Sequence, residues 1–324
     1  MAAGGRGSDD GTVEIFGKTN IDFLGMRRGA YMLSVILVCL GLLAIVQIAR
    51  GRANLGIDFA GGTSVQVLFD DPVDLSQVRG VLTAGGFPQS ELQQFTGERR
   101  LFIRVKSEGE PVTGTAARIE EALRKAFPGN PFVVERSSEV GPVIGRELQR
   151  AALLAVVISL VCIVTYIAWR FEFRFGVAAT VATFHDVVAV LGIFFLLGNE
   201  ITLLVVTALL TLAGYSLTDT VVVFDRIREN LRSRRRGSFG EIVNASINEV
   251  LDRTILTSLT TSLAILALFF LGGEVLRDFS LALFVGVIVG TYSTMFVACA
   301  LVYEWRVRAR RQAGGVKRQA QSLH

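Results

Sequence analysis

Six stretches of this chain are apolar over about 20 residues, which is the length that a helix needs to cross a bilayer. They predict membrane-spanning helices at about 31–49, 148–169, 175–197, 201–224, 254–271 and 279–305. The predicted organisation is a tail at 1–28, helix 1 at 29–49, a polar domain at 50–147, helices 2 to 6 within 148–305 and a basic tail at 306–324.

The long polar stretch between the first two spans changes to strand and helix patterns. Alternation predicts strands at 64–69, 92–95, 100–105 and 131–136, and helical periodicity predicts helices at 74–84 and 115–127. The order βαββαβ is that of a ferredoxin-like α+β sandwich. The predicted fold is therefore a bundle of six transmembrane helices with one ferredoxin-like domain inserted between helices 1 and 2.

A further stretch at 237–252 is amphipathic and too polar to span a membrane. Its apolar residues Phe239, Ile242, Val243, Ile247 and Leu251 form one discontinuous stripe. The pattern predicts a segment that lies along the cytoplasmic membrane surface, between helices 4 and 5.

Composition and charge agree with a membrane protein and give it an orientation. The chain has 324 residues, of which 51% are hydrophobic and 19% charged, and its net charge is +4. Arginines concentrate in the connections at 170–174 and 225–253 and after 305, whereas the turns at 198–200 and 272–278 are mainly acidic. The positive-inside rule therefore predicts cytoplasmic termini and an extracytoplasmic domain.

The most unusual residue is a carboxylate inside the fourth apolar run. Asp219 precedes the first charges of the following connection by six residues, about 9 Å along a helix. Thr207, Thr211 and Tyr215 precede it at four-residue spacing. An ionised Asp within a membrane costs about 2.5–3.5 kcal/mol, so such residues are paired, protonated or functional.

Two neighbouring spans also carry polar residues. Arg253 begins the fifth span, with Thr257 and Thr261 on the same face, and His185 and Asp186 lie mid-way along the third. A carboxylate approached by hydroxyls, with a guanidinium nearby, is what a proton path requires.

Purely structural interpretations compete at each position. Asp219 could form a fixed ion pair or a neutral hydrogen bond, and Arg253 could extend its charge to the membrane surface. The His185–Asp186 pair could be a helix-packing hydrogen bond, and Thr stripes often mark helix contacts. The residues alone leave these alternatives open.

Other kinds of chemistry find no support in the sequence. Two histidines, one of them terminal, supply no metal-ligand spacing. A nucleophile triad and a complete phosphate-binding loop are also missing, so we expect neither an enzyme nor a resident cofactor or metal. Nothing in the charge distribution suggests nucleic acid as a partner, whereas basic connections suit anionic membrane lipids.

Several segments, in this order, resemble the SecF family of protein-export membrane subunits, within the resistance-nodulation-division superfamily. They are LGIDFAGGT at 55–63, the His-Asp pair at 185–186, GYSLTDTVVVFDRIREN at 214–230, INEVLDRTILTSLTT at 247–261 and GTYSTMFVA at 290–298. The resemblance covers about residues 20–305 and implies a bacterial inner-membrane location. It also implies association with SecD, the SecYEG channel and YajC.

The resemblance further implies a mechanism in which inward proton flow drives motion of extracytoplasmic domains that act on unfolded preproteins. Asp219 would then be the carboxylate that gains and loses the proton, and Arg253 its partner. His185, Asp186, Tyr215, Thr257 and Thr261 are candidates for the ion path or its support.

Within LGIDFAGGT, Gly56, Asp58, Gly61 and Gly62 would form the hinge motif that joins the outer domain to the first span. The transported ion is a proton or a sodium ion, since carboxylates and hydroxyls suit both. The alternatives are a small-molecule or lipid transporter subunit of the same superfamily and a passive assembly factor of the translocon.

Overall fold

The computed structural model describes residues 19–94, 99–106, 113–233 and 237–309, and for residues 274 and 275 the backbone alone. Numbered in chain order, its helices are α1 (Arg27–Ala49), α2 (Ile57–Ala60), α3 (Leu75–Ala84), α4 (Thr115–Ala126), α5 (Pro142–Arg170), α6 (Phe173–Leu196), α7 (Leu203–Arg232), α8 (Phe239–Leu271) and α9 (Gly273–Ser293). A π-helical turn, Thr294–Ala298, extends α9 into a last helical stretch that ends at residue 309. The strands are β1 (Gly62–Phe69), β2 (Glu91–Gln94), β3 (Arg100–Lys106) and β4 (Phe132–Val140).

Six of these helices are long and apolar enough to cross a membrane in the part of the chain that is described. They are α1, α5, α6, α7, α8 and the long helix that begins with α9. The number and order of the predicted spans are therefore confirmed. Their ends extend beyond the apolar runs, because polar residues such as those at the end of α7 continue the helix outside the apolar length.

The polar domain lies between α1 and α5 and has the predicted order of elements, β-α-β-β-α-β. Its four strands form one antiparallel sheet in the order β2-β3-β1-β4. Val65 and Val67 of β1 and Ile103 of β3 are buried against Leu82 of α3 and Leu123 of α4, as the alternation predicts. The predicted end of the second strand at residue 95 lies outside the described residues.

Helix α6 lies at the centre of the bundle and packs against α1, α7 and α9. Small residues allow its closest approach. A Cβ on Gly192 of α6 would lie 2.5 Å from the backbone nitrogen of Gly41 in α1. In the membrane, where helix association depends on close packing rather than on hydrophobic transfer, such glycine contacts bring backbones together.

The predicted break between the segment at 237–252 and the fifth span is not observed, because α8 runs without interruption from Phe239 to Leu271. Ser238 and Glu241 form a capping box at its start, and nothing in the sequence breaks the helix before the apolar part. Val243 and Ile247, on the predicted apolar stripe, are fully buried in the protein core. The position of this segment at the cytoplasmic membrane surface stays a prediction.

The chain segment before α1 covers this first half of α8. Asn248 binds both backbone groups of Ile21 at 2.9 Å, and the side chain of Asn244 accepts a hydrogen bond from Leu24. Phe23 and Leu24 join the same core as the α8 stripe. The apolar stripe of α8 and this segment, more than 200 residues apart in sequence, therefore belong to one buried core, to which α7 and the last helix also contribute.

Candidate ion-coupling site

Helices α7 and α8 border an open cavity of about 290 Å³ in the apolar part of the bundle. It is lined by Tyr215, Thr218, Asp219, Val222, Arg253, Thr254, Thr257, Thr260 and Thr261. Five of the nine residues carry threonine hydroxyls, and the cavity holds one carboxylate and one guanidinium. We call this space the α7/α8 groove.

Asp219 is half-buried in the groove and is incompletely bonded. Its Oδ2 atom is buried and has no hydrogen-bond partner among the described residues. Because a buried carboxylate oxygen without a donor is costly, the group has an energetic reason to change either its protonation state or its partner.

Arg253 faces the same groove from α8, but it does not form the predicted pair with Asp219 by direct contact. In the described part of the chain, no guanidinium nitrogen lies within 4 Å of an Asp219 oxygen. The two charges therefore share a cavity without forming a fixed ion pair, which argues against the interpretation of Asp219 as one half of a permanent salt bridge.

Of the four residues predicted to form a polar stripe on α7, only Tyr215 and Asp219 line the groove. Thr207 and Thr211 donate their hydroxyls to backbone carbonyls one turn earlier, at 2.9 and 2.8 Å. A four-residue step on an α-helix advances by about 40° beyond a full turn, so residues 12 apart diverge by about 120°. The stripe therefore leaves the groove before it reaches Thr207.

The predicted face of α8 lies in the groove as expected. Arg253, Thr257 and Thr261 all line it, and the hydroxyl of Tyr215 donates to Thr261 at 3.4 Å. Thr218, Thr254 and Thr260 also line the groove, although the sequence pattern did not single them out. Each of these threonines is adjacent in sequence to a predicted residue. This adjacency is the signal that could have identified them as lining residues.

His185 and Asp186 lie elsewhere, between α6, α7 and α9. Asp186 is fully buried, and its two oxygens contact different partners: Oδ1 lies 2.9 Å from Nδ1 of His185, and Oδ2 accepts a hydrogen bond from Ser216. Nε2 of His185 is buried without a partner among the described residues. The pair thus joins helices, and neither residue lines the α7/α8 groove.

One turn further along α7, the contact continues through hydroxyl groups. Thr220 lies 3.0 Å from Thr294, the first residue of the π-helical turn, and both are buried. Gly290 allows this approach, since a Cβ there would lie 3.1 Å from Cβ of Ser216. One face of α7 is thus fixed by buried hydrogen bonds while another faces the groove.

The predicted hinge motif connects the outer domain with the bundle through close contacts. Gly61 and Gly62 have φ values of +74° and +140°, which L-residues with a side chain adopt only with strain. A Cβ on Gly56 would lie 2.8 Å from the Thr202 side chain, and Asp58 accepts a hydrogen bond from the Leu203 backbone at 3.0 Å. The motif therefore contacts the start of α7, and its role as a hinge stays a prediction.

The groove contains what ion coupling needs: a carboxylate that is not locked in place, a cation in the same space and hydroxyls that can order water. Among the described residues, no group of three or more His, Cys, Asp or Glu side chains could hold a metal ion.

Comparison with known proteins gives consistent results. The family described as "Protein export membrane protein SecD/SecF, C-terminal" matches residues 119–308, and the "SecD/SecF GG Motif" matches residues 53–73. The chain is 52% identical to the protein translocase subunit SecF of Thermodesulfovibrio yellowstonii over 292 residues, which cover 90% of this chain and 96% of that protein.

A longer relative is the protein translocase subunit SecDF of Thermus thermophilus. It is 44% identical over 297 residues, which cover 90% of this chain and 39% of the relative. The crystal structure of SecDF from that organism, described as a translocon-associated membrane protein, is similar with a TM-score of 0.77 and 40% identity. The match covers 89% of this chain, which spans about two-fifths of the SecDF chain.

Proposed function

This chain belongs to the SecF family of protein-translocase subunits, and from its groove we propose that it couples inward proton flow to motion of its outer domain. In this proposal it works together with SecD and promotes preprotein translocation through SecYEG, with YajC as a further associated subunit. The single observation that carries the proposal is the incompletely bonded Asp219 carboxylate in the groove that also contains Arg253.

Protonation of Asp219 would remove its attraction to Arg253 and so change the force between α7 and α8. The two helices are also joined outside the apolar part, where Arg226 binds Glu249 at 2.7 Å and Asn230 binds Ser246 at 2.8 Å. A change at Asp219 would therefore act on two helices that are held together at one end and separated by a cavity further along.

The membrane potential supplies energy of a suitable size for this step. One proton that crosses about 100 mV contributes about 2.3 kcal/mol. That energy can invert a two-state equilibrium with a small gap, although a one-sided shift needs about 5.5 kcal/mol.

The distribution of charge supports cytoplasmic termini and an extracytoplasmic domain in the inner membrane. Arg170, Arg228 and Arg232 cluster at the end of α7 that is distant from the polar domain, whereas Glu200 lies next to that domain. The positive-inside rule places the arginine end in the cytoplasm. The strand order and the β-α-β-β-α-β sequence support a ferredoxin-like classification of the outer domain.

The groove also supports SecD as a direct neighbour. Thr218, Thr257 and Thr260 are exposed on membrane-spanning helices, next to the Asp219 carboxylate. Polar groups at membrane depth normally face protein or water. A SecD helix against the α7/α8 groove would cover them, and the fused SecDF relative provides such a partner within one chain.

The test is a pair of measurements on the SecD-containing complex in inverted vesicles, with Asp219 intact and with Asp219→Asn. We expect the substitution to abolish proton flux through the complex and the gradient-dependent part of preprotein export, while the complex still purifies intact. Export and flux that are unchanged in Asp219→Asn would contradict the proposal and favour a passive assembly role.

A further inference from the structure

A buried arginine lies where the outer domain meets the bundle. Arg104 of β3 forms an ion pair with Glu200, which lies in the turn between α6 and α7. The two side chains are only 14% and 8% exposed. A second carboxylate, that of Glu91 on β2, lies 3.7 Å from the same guanidinium nitrogen.

The surroundings of Arg104 are strongly charged for a buried position. Burial lowers the pKa of Arg104 from its ordinary value, while the nearby carboxylates of Glu91, Asp278 and Asp58 act in the opposite direction. These acids come from the sheet, from the start of α9 and from the segment before β1. Among the described residues Glu200 forms its ion pair with Arg104, so loss of this arginine would leave a buried carboxylate uncompensated.

The same turn is held from a second side by the segment before β1. The backbone N–H of Ile201 donates to Asn54 at 2.9 Å, and that of Gly56 donates to Ile201 at 3.0 Å. Asp58 accepts from Leu203, the first residue of α7. The outer end of α7 therefore lies between residues 50–61, which we call the connector, on one side and β3 on the other.

The covalent connections of the domain lead to other helices. Its last strand continues into α5 through the single residue Gly141, and its first strand follows the connector from α1. Helix α7, which carries Asp219, contacts the domain through non-covalent interactions of its first turn and the preceding residues. Asp219 lies 16 residues beyond Leu203, about 24 Å along the helix.

We infer that Arg104 and Glu200 are the positioning pair that fixes the outer domain to the outer end of α7, so that displacement of α7 moves the domain. This inference rests on the proposed function for its consequence in export. The contact itself can be tested separately, because the position of the domain against the bundle is measurable without a proton gradient.

The experiment is a charge-reversal cycle in the SecD-containing complex: Arg104→Glu, Glu200→Arg and the double substitution. The position of the domain is measured as the distance distribution between spin labels on Lys125→Cys and Leu197→Cys, with the three native cysteines replaced by Ala. Arg104→Gln serves as a milder variant if charge reversal prevents folding. Export driven by the proton gradient and proton flux are measured in the same preparations.

We expect each single substitution to broaden the distance distribution and to lower gradient-driven export by about tenfold, and the double substitution to restore both. Proton flux should persist in the single variants, since Asp219 and Arg253 are untouched. The matched control is reversal of the Arg100–Glu135 pair, an ion pair at 2.8 Å within the same sheet, which should leave distances and export unchanged.

Single variants that behave like this control, or a double variant no better than either single, would overturn the inference. If those variants leave export intact while Asp219→Asn abolishes it, the positioning pair is wrong and the proposed function stands. If Asp219→Asn leaves flux and export unchanged, the proposed function fails, and the distance measurement alone decides whether the pair fixes the domain.

Discussion

Two aspartates within the membrane-spanning helices of this chain have opposite surroundings. Asp186 is fully buried between α6, α7 and α9, and both of its oxygens have partners. Asp219 lies in a cavity between α7 and α8 with one buried oxygen unpaired among the described residues. The first arrangement stabilises one packing of the helices, whereas the second favours a group that changes state.

The two environments are presented by neighbouring faces of the same helix. Ser216 and Thr220 of α7 bind Asp186 and Thr294, while Tyr215 and Asp219 line the groove. A fixed face next to an adaptable one gives α7 a support against which a change of charge can act. We therefore expect one face of α7 to contribute stability, and the other is the face for which we propose coupling.

We expect the largest difference in the free energy of unfolding between substitutions of the two carboxylates. Asp186→Ala removes the partner of Ser216 and of His185 and leaves a small buried void, so we expect a loss of about 2–4 kcal/mol in the free energy of unfolding. Asp219→Ala should change that free energy by less than about 1 kcal/mol, because the side chain borders a cavity. Thermal unfolding of the purified complex in detergent measures both, and equal losses would break the comparison.

Two glycines, one in α9 and one in α7, allow a second comparison between a packed and an open face of α7. A Cβ on Gly286 of α9 would lie 2.6 Å from the Leu212 side chain, so Gly286→Ala should cost about 1–3 kcal/mol of stability. Gly214 of α7 has nothing within 4 Å of an added Cβ, and Gly214→Ala should stabilise the helix by up to about 1 kcal/mol.

The Gly214 variant also tests whether the groove side of α7 is a partner surface. If a SecD helix packs closely there, Gly214→Ala should weaken co-purification of SecD even though the chain itself is more stable. Unfolding temperatures and the recovered ratio of SecD to this chain are measured on the same samples. A destabilised Gly214→Ala chain would contradict the assignment of an open face.

Adjacent hydroxyl residues on α7 give the smallest contrast. Ser216→Ala should cost about 1–2 kcal/mol, because Asp186 loses a hydrogen-bond donor in a buried site. Tyr215→Phe should change stability by less than about 0.5 kcal/mol, since its hydrogen bond to Thr261 is long at 3.4 Å. The same unfolding assay compares them, and a Tyr215 effect as large as that of Ser216 would contradict the difference between the faces.

Local patterns in the sequence were sufficient for the elements of the fold. Apolar runs of bilayer length predict six spans, and the alternation around Val65 and Ile103 predicts the strands that form the domain core. They failed at Phe239–Leu251, where an amphipathic pattern indicates a buried face but not what buries it. The cover comes from Phe23 and Leu24 together with residues of α7 and the last helix, and no local signal connects segments so far apart.

The charged residues of the candidate site were predictable from the sequence, whereas the arrangement of the helices around them was less predictable. Asp219 is conspicuous because charges are rare in apolar runs, Arg253 stands at the start of the next run, and both lie in the groove. The separation of Asp186 from that groove depends on the rotation of α6 against α7, which periodicity does not define. The contact of Arg104 with Glu200 joins residues that are almost 100 positions apart in different elements.

The central claim is that Asp219 changes its protonation state while Asp186 does not. Infrared difference spectroscopy of the complex during acidification measures this through the C=O band of a carboxylic acid. We expect one component of this band to appear reversibly in the unmodified protein, to be absent in Asp219→Asn and to persist in Asp186→Asn. A band that survives in Asp219→Asn and disappears in Asp186→Asn would contradict it.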